Sequence, residues 1–256
     1  MGVGQMKVLF LSFRRRKIIL FVLIVLVILL LVWLFLRSEG AGTVLNPTEN
    51  AAIYQGKESK QNIALECNVV WGTEYIEPML DVLKEKDIHI TFFIGGEWAK
   101  GNPDLMNRIA KEGHEIGNHG YSHQHHNNLN LDGNRKEILV TEKVIEAETG
   151  IKTTLFAPPY GEFNDTTLQA ADSLGYRTIM WSIDTIDWKR DGKEKILQRV
   201  MKNPHNGALI LMHPTADTVT VLPVIIGKLQ ECHSGMTPFI QIKGLVNRGM
   251  EYLCFL

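Results

Sequence analysis

Cysteine is scarce in this 256-residue chain: Cys67, Cys232 and Cys254 are odd in number and far apart. That excludes a disulfide framework and the short paired spacings of a zinc knuckle, and it leaves the redox compartment open. An excess of charge is also missing, with 27 Lys and Arg against 28 Asp and Glu. A domain that holds nucleic acid through its phosphates needs a basic surplus, so nucleic acid is set aside as a partner. No internal repeat appears, and no low-complexity segment beyond one apolar run, which excludes a solenoid or a long disordered tract.

That apolar run is the first positive signal. From Ile18 to Leu36 the chain reads IILFVLIVLVILLLVWLFL, without a charged residue. Its length is about the twenty residues that cross a bilayer as a helix. Arg14, Arg15, Arg16 and Lys17 precede it and only Arg37 follows at once. The positive-inside rule therefore predicts a cytoplasmic segment over 1–17, a single transmembrane anchor over 18–36 and an extracytoplasmic remainder at the cell membrane. A cleaved signal peptide is the competing reading. Its apolar core is normally roughly 7 to 15 residues and ends in a small-residue cleavage site, which Glu39 to Thr43 does not offer.

Residues 37–61 are polar, carry Gly, Pro and Asn, and read as a spacer. From Asn62, apolar strand-like runs alternate with amphipathic stretches. Strands are expected at Ile63 to Cys67, Ile88 to Ile94, Glu115 to Asn118, Thr154 to Ala157, Tyr176 to Trp181 and Ala208 to Met212. Helices are expected at Ile76 to Lys86, Pro103 to Lys111, Asn134 to Thr149 and Thr166 to Leu174. Such alternation predicts an α/β domain with a parallel sheet or barrel, placed at 62–230 with an atypical segment at 231–256. The polar motifs fall where strands end, the rim on which βα barrels assemble active sites.

His119 and His123 stand four residues apart after one such strand, a spacing that suits one divalent metal held by both. Gln124, His125, His126 and Asn127 follow at once, so a solvated His-rich loop is the alternative from spacing alone. Three further motifs accompany the pair: Ala157-Pro158-Pro159-Tyr160-Gly161, Asp184-Thr185-Ile186-Asp187-Trp188 and Leu211-Met212-His213.

With these in order, the chain from about Ile63 to Gln230 resembles the polysaccharide deacetylases, the NodB homology group of carbohydrate esterase family 4. The resemblance implies a distorted (β/α) barrel of the NodB type and metal-dependent removal of acetyl from N-acetylated sugars, with cell-wall glycan as the substrate partner. It implies that His119 and His123 hold one divalent ion, with zinc the expected metal for a two-histidine set. It further implies that the Tyr160 backbone N–H faces the oxyanion and that His213 protonates the leaving amine. Asp187 then holds His213, and Trp188 and Leu211 wall the acetyl methyl. Taken singly, Trp188 could also be core and Asp187 a helix cap.

The pattern breaks at its first motif. Where the family has T-F-D-D-G, this chain has Glu66-Cys67-Asn68-Val69-Val70-Trp71-Gly72. Aligned from the left, Asn68 takes the place of the catalytic base and Val69 that of a metal-binding aspartate; aligned on Gly72, Val70 and Trp71 do. Neither alignment restores a carboxylate. Gly120 stands where the family has Ser or Thr. Ala157 stands where it has an arginine whose task is to hold that base. The two losses are physically linked, because a buried arginine without its carboxylate costs free energy. This combination resembles a sporulation-associated branch of Gram-positive spore formers.

Asparagine is no base near neutral pH, so two replacements are weighed. Glu66 lies on the same strand face roughly 6.6 Å deeper and could reach the water or metal. Otherwise metal-bound hydroxide forms without a protein base, giving a slow enzyme. The functions carried forward are a peptidoglycan N-deacetylase, a non-catalytic glycan-binding pseudoenzyme and a carbohydrate O-acetyl esterase. After Gln230 the run ECHSGMTPFIQIKGLVNRGMEYLCFL lacks the family's usual closing strand.

Overall fold

The structure is a computed structural model, and it describes residues 21–30, 33, 51–56 and 62–232. The chain divides into two compact units, Met1–Asn46 and Pro47–Leu256. In the first, residues 21–30 form helix α1, whose apolar side chains are exposed. The anchor expected over 18–36 lies partly outside the described residues. Among the described residues no helix is long and apolar enough to cross a membrane.

The second unit alternates strand and helix. Its elements begin β1 Ala64–Val69, α2 Thr73–Glu85, β2 Thr91–Ile94, α3 Gly96–Gly101, α4 Pro103–Lys111, β3 Glu115–Asn118 and α5 Leu131–Thr149. They continue with β4 Leu155–Phe156, α6 Asp165–Ser173, β5 Arg177–Thr178, β6 Ile183–Asp184, α7 Lys193–Met201, β7 Leu209–Met212 and α8 Ala216–Cys232. All strand pairs are parallel, in the order β5-β4-β3-β2-β1-β7-β6. The result is a curled parallel α/β half-barrel, consistent with the NodB fold.

The sheet's ends, β5 and β6, are not paired with each other. Part of the stretch read as spacer lies against this open side. Ile53 bridges Ile179 and Gln55 bridges Ala208. The Ile53 amide donates to the Thr178 carbonyl (2.9 Å) and the Gly56 amide to the Gly207 carbonyl (2.8 Å). Edge strands leave unpaired backbone groups, and a polar segment with no apolar period can satisfy them through its main chain alone.

Strand alternation explains how the site is positioned. On β1, Leu65, Cys67 and Val69 face the helical layer and pack in one core with Ile76, Met79, Leu80 and Leu83 of α2 and with Leu222, Ile225, Ile226 and Leu229 of α8. Ala64 faces the opposite way, into a smaller cluster with Phe93, Leu155, Ala157, Ile179 and Leu209. By the two-residue period Glu66 and Asn68 share the Ala64 face, inside the curl. Helix ends match their local chemistry. Asn130 caps α5 by accepting from the Gly133 amide, Gly150 closes it at φ 72, and Asn164 with Thr167 forms a capping box on α6.

Candidate active site

The site gathers at the carboxyl ends of β1, β3, β4, β6 and β7. His119 directly follows β3 and is 1% exposed. Its Nδ1–H donates to the Ala157 carbonyl at 2.7 Å, which leaves Nε2 as the atom with a lone pair. His123 sits with its ring centroid 5.2 Å from that of His119. Burial first, and the neighbouring His123 second, push the His119 imidazole well below its usual range. Burial and then His213 lower His123. Both imidazoles are therefore neutral near pH 7, the form that binds metal.

Beside them lies the elbow Ala157 to Gly161. Tyr160 adopts a left-handed backbone (φ 61, ψ 3) and its ring lies 4.4 Å from that of His123. His125 stacks on the other side of the phenol at 4.1 Å and 10° and bonds through Nδ1 to Glu162 at 2.9 Å. A left-handed non-glycine residue is strained, and such strain persists only where neighbours over-determine the backbone.

The second half of the site hangs on β7. His213 Nδ1 bonds to Asp187 Oδ1 at 2.8 Å, while Asp187 Oδ2 accepts the His213 backbone N–H at 2.7 Å and the Thr218 hydroxyl at 2.6 Å. Asp187 is fully buried and every bond it accepts is charge-assisted. With the carboxylate on Nδ1, the imidazole is held in one orientation with Nε2 free for proton transfer. Trp71 stacks on His213 at 5.7 Å and 6°. The stack depends on Gly72: at φ 72, with the Pro214 carbonyl only 2.2 Å from where a Cβ would sit, no side chain fits there. Arg199 holds the loop that carries Asp187, donating to the Thr185 carbonyl at 2.9 Å and pairing with Asp191. Trp188 lies outward, half exposed, with the Lys189 ammonium 5.1 Å over its ring.

The floor of the site is where the carboxylates are missing. Asn68 is 5% exposed, and Val69 packs in the helical core instead of facing the cleft. The alternative alignment fares no better, since its Trp71 is the ring stacked on His213. Glu66 is 1% exposed and lies in register with Leu211, which is itself in register with Asp184. Burial, with the nearby Asp184 second, raises the Glu66 carboxyl well above the usual carboxylate range. Among the described residues, neither Glu66 Oε2 nor Asn68 Oδ1 has a hydrogen-bond partner. Burial without a hydrogen-bond partner on Oε2 thus favours the neutral form of the Glu66 carboxyl.

The geometry thus brings His119, His123 and Tyr160 together on one side, and His213 and Asp187 on the other. Leu211 is buried between Glu66 and Asp184. Sequence reasoning passed over Thr218, Arg199 and Glu137, and it weighed Trp71 only as a first-motif position. The Glu137 carboxylate accepts the amides of Tyr121 (2.9 Å) and Ser122 (2.8 Å) and the Ser122 hydroxyl (3.0 Å). Nothing local marks these residues, because their partners in the site lie well away in sequence, 14 positions for Arg199 and Thr185 and 15 for Glu137 and Ser122.

A parallel half-barrel with a histidine pair and a carboxylate–imidazole pair at its strand ends is the scaffold of a carbohydrate esterase. The polysaccharide deacetylase profile matches residues 55–179. The peptidoglycan-N-acetylmuramic acid deacetylase PdaA of Bacillus subtilis is 32% identical over 192 residues, 71% of this chain and 73% of that protein. A carbohydrate esterase family 4 pseudoenzyme from Bacillus anthracis has a solved structure with a TM-score of 0.73 and 41% identity, over 77% of this chain and 69% of that one. A mutant of that pseudoenzyme is described as having restored enzymatic activity. The chain belongs to the polysaccharide deacetylase family of carbohydrate esterases. It is also 39% identical over 179 residues to YlxY of Bacillus subtilis, an uncharacterized protein, which covers 70% of this chain and 56% of YlxY. The chain therefore spans little more than half the length of that relative.

Proposed function

We propose that this chain acts on the N-acetylated glycan of peptidoglycan as a deacetylase without a protein base, held at the outer face of the cell membrane by its apolar amino-terminal segment. One observation carries the reading: the Asp187–His213 pair is complete, its carboxylate buried, and it is braced by Trp71 and Thr218, although the first motif has no carboxylate at the expected positions. His213, held through Nδ1 by Asp187, starts as the imidazolium, gives its Nε2 proton to the departing amine and is left as the neutral imidazole. The Tyr160 N–H, turned by the left-handed elbow, faces the developing oxyanion. Asn68 orients the attacking water, and the proton that water loses passes to solvent.

The implied metal was weighed against the donors present. His119 and His123 offer two neutral imidazole nitrogens, but among the described residues no three of His, Cys, Asp and Glu come together as a metal-holding group. That set fits a weakly held divalent ion, with His119 and His123 as its protein ligands. When bound, such an ion polarises the acetyl carbonyl and makes nearby water more acidic.

Without a base the expected turnover lies about a hundred- to ten-thousandfold below that of a complete site. The test is acetate release from N-acetylated peptidoglycan, with metal content, for the full-length protein and its His119→Ala and His213→Ala variants. Release that both substitutions abolish supports the reading. The missing third ligand favours a second one, a glycan-binding pseudoenzyme, and glycan binding with no release by the wild type would select it. Release from O-acetylated glycan alone would identify an esterase instead.

A further inference from the structure

His119 and His123 are brought together by a turn that the chain does not adopt freely. His123 has φ 53, a left-handed conformation that costs roughly 1 to 2 kcal/mol for a side chain with a Cβ. Something outside the pair must impose it. The Asn118 side chain holds the start of the turn, accepting the Gly120 amide at 2.9 Å and donating to the Ile138 carbonyl of α5 at 2.8 Å. From α3, the Gly96 amide donates to the Gly120 carbonyl (2.9 Å) and the Glu97 amide to the Tyr121 carbonyl (3.0 Å). These contacts end at Tyr121. The stretch that delivers His123 is held by Glu137 of α5, whose carboxylate takes the two consecutive amides of Tyr121 and Ser122 and the Ser122 hydroxyl. Glu137 is itself 9% exposed, and its helix is locked beside it by the Thr141 hydroxyl donating to the Glu137 carbonyl at 2.8 Å.

We propose that Glu137 is a positioning residue for the histidine pair: its carboxylate, which touches neither imidazole in any of the bonds just named, imposes the turn that places His123 beside His119. The proposal rests on the functional reading of that pair and deepens it. Three donors converge on one carboxylate, both adjacent amides on Oε2 and the Ser122 hydroxyl on Oε1; a neutral amide keeps one acceptor oxygen but loses the charge that strengthens the bonds and the acceptor for the hydroxyl. Supporting groups of this kind typically alter metal affinity by about 10- to 100-fold.

The experiment compares the full-length wild type with Glu137→Gln and Ser122→Ala, measuring zinc affinity by chelator competition and amide hydrogen exchange over 119–124 in metal-free protein. Expected for Glu137→Gln are faster exchange confined to that segment and zinc affinity lower by about 10- to 100-fold, with a smaller loss in Ser122→Ala, which removes one of the three bonds. Unchanged zinc affinity in Glu137→Gln, with or without faster exchange, would reduce the carboxylate to a structural cap and overturn the proposal. If Glu137→Gln fails to fold, the Ser122→Ala affinity decides alone, and no loss there overturns it. Absence of zinc binding in the wild type would instead overturn the functional reading of the pair, and the positioning role with it.

Discussion

The two sides of the cleft differ in how completely their polar groups are satisfied. On the β7 side, Asp187 is buried with both oxygens occupied, by His213 twice and by Thr218. On the β1 side, equally buried oxygens of Glu66 and Asn68 find no partner among the described residues. A buried polar atom left unpaired costs on the order of 1 to 3 kcal/mol. The Asp187–His213 pair is therefore fully hydrogen-bonded, whereas Glu66 and Asn68 hold polar atoms against a cost. The first motif, which lacks carboxylates at its two expected positions, lies on the poorly satisfied side.

The sharpest way to break this contrast is to rebuild the poor side. Asn68→Asp together with Ala157→Arg is expected to raise acetate release about a hundred- to ten-thousandfold, read as kcat on N-acetylated peptidoglycan. Ala157→Arg alone should lower the melting temperature without activating the enzyme, since Ala157 sits among Phe93, Leu155 and Ile179 and an arginine there has no carboxylate to meet. Damage to the rich side comes next. Asp187→Ala leaves the His213 amide and the Thr218 hydroxyl without their acceptor, and a loss of about 3 kcal/mol or more in chemical denaturation is expected, with loss of turnover.

Glu66→Gln addresses the orphaned acid through pH. The folded-state pKa of Glu66 is raised, so the unfolded chain ionises first and wild-type stability declines as pH rises above about 4.5, until the folded pKa is reached. The decline amounts to about 1.4 kcal/mol per unit of separation. Glu66→Gln should flatten it, so that the variant melts higher than wild type at pH 8 and no higher at pH 4. A wild-type melting temperature that does not fall between these values relative to the variant would show Glu66 ionised in the fold. The smallest effect is expected at the exposed His125–Glu162 pair, where Glu162→Gln should change stability by less than about 0.5 kcal/mol.

Much of the fold was legible along the chain. The apolar runs placed β1, β3, β7, α4, α5 and α6 within a few residues of where they lie, because each buries one face and carries the corresponding period. The two-residue β6 and the six-residue α3 escaped, being too short to show a period, and the half-exposed α7 carries only two buried residues, Ile196 and Val200. The barrel expectation was right in layer and strand direction. The open side, and the contact of residues 53 and 55 with it, follow from strand order, which no local pattern encodes.

By itself the sequence determined which chemistry survives and which is lost. Side-chain identity sets protonation and ligand capacity, and no fold can turn Asn68 or Val69 into a carboxylate. It likewise determined the family, through motifs whose order and spacing reflect strand ends. Only the tertiary structure decided what the remaining groups can do. It buried Glu66 near Asp184 and so raised its carboxyl above the usual carboxylate range. It stacked Trp71 on His213, and it set the carboxylate of Glu137 under the turn of the histidine pair. Burial and long-range hydrogen bonds carry those outcomes, and both come into being only when strands distant in sequence lie side by side.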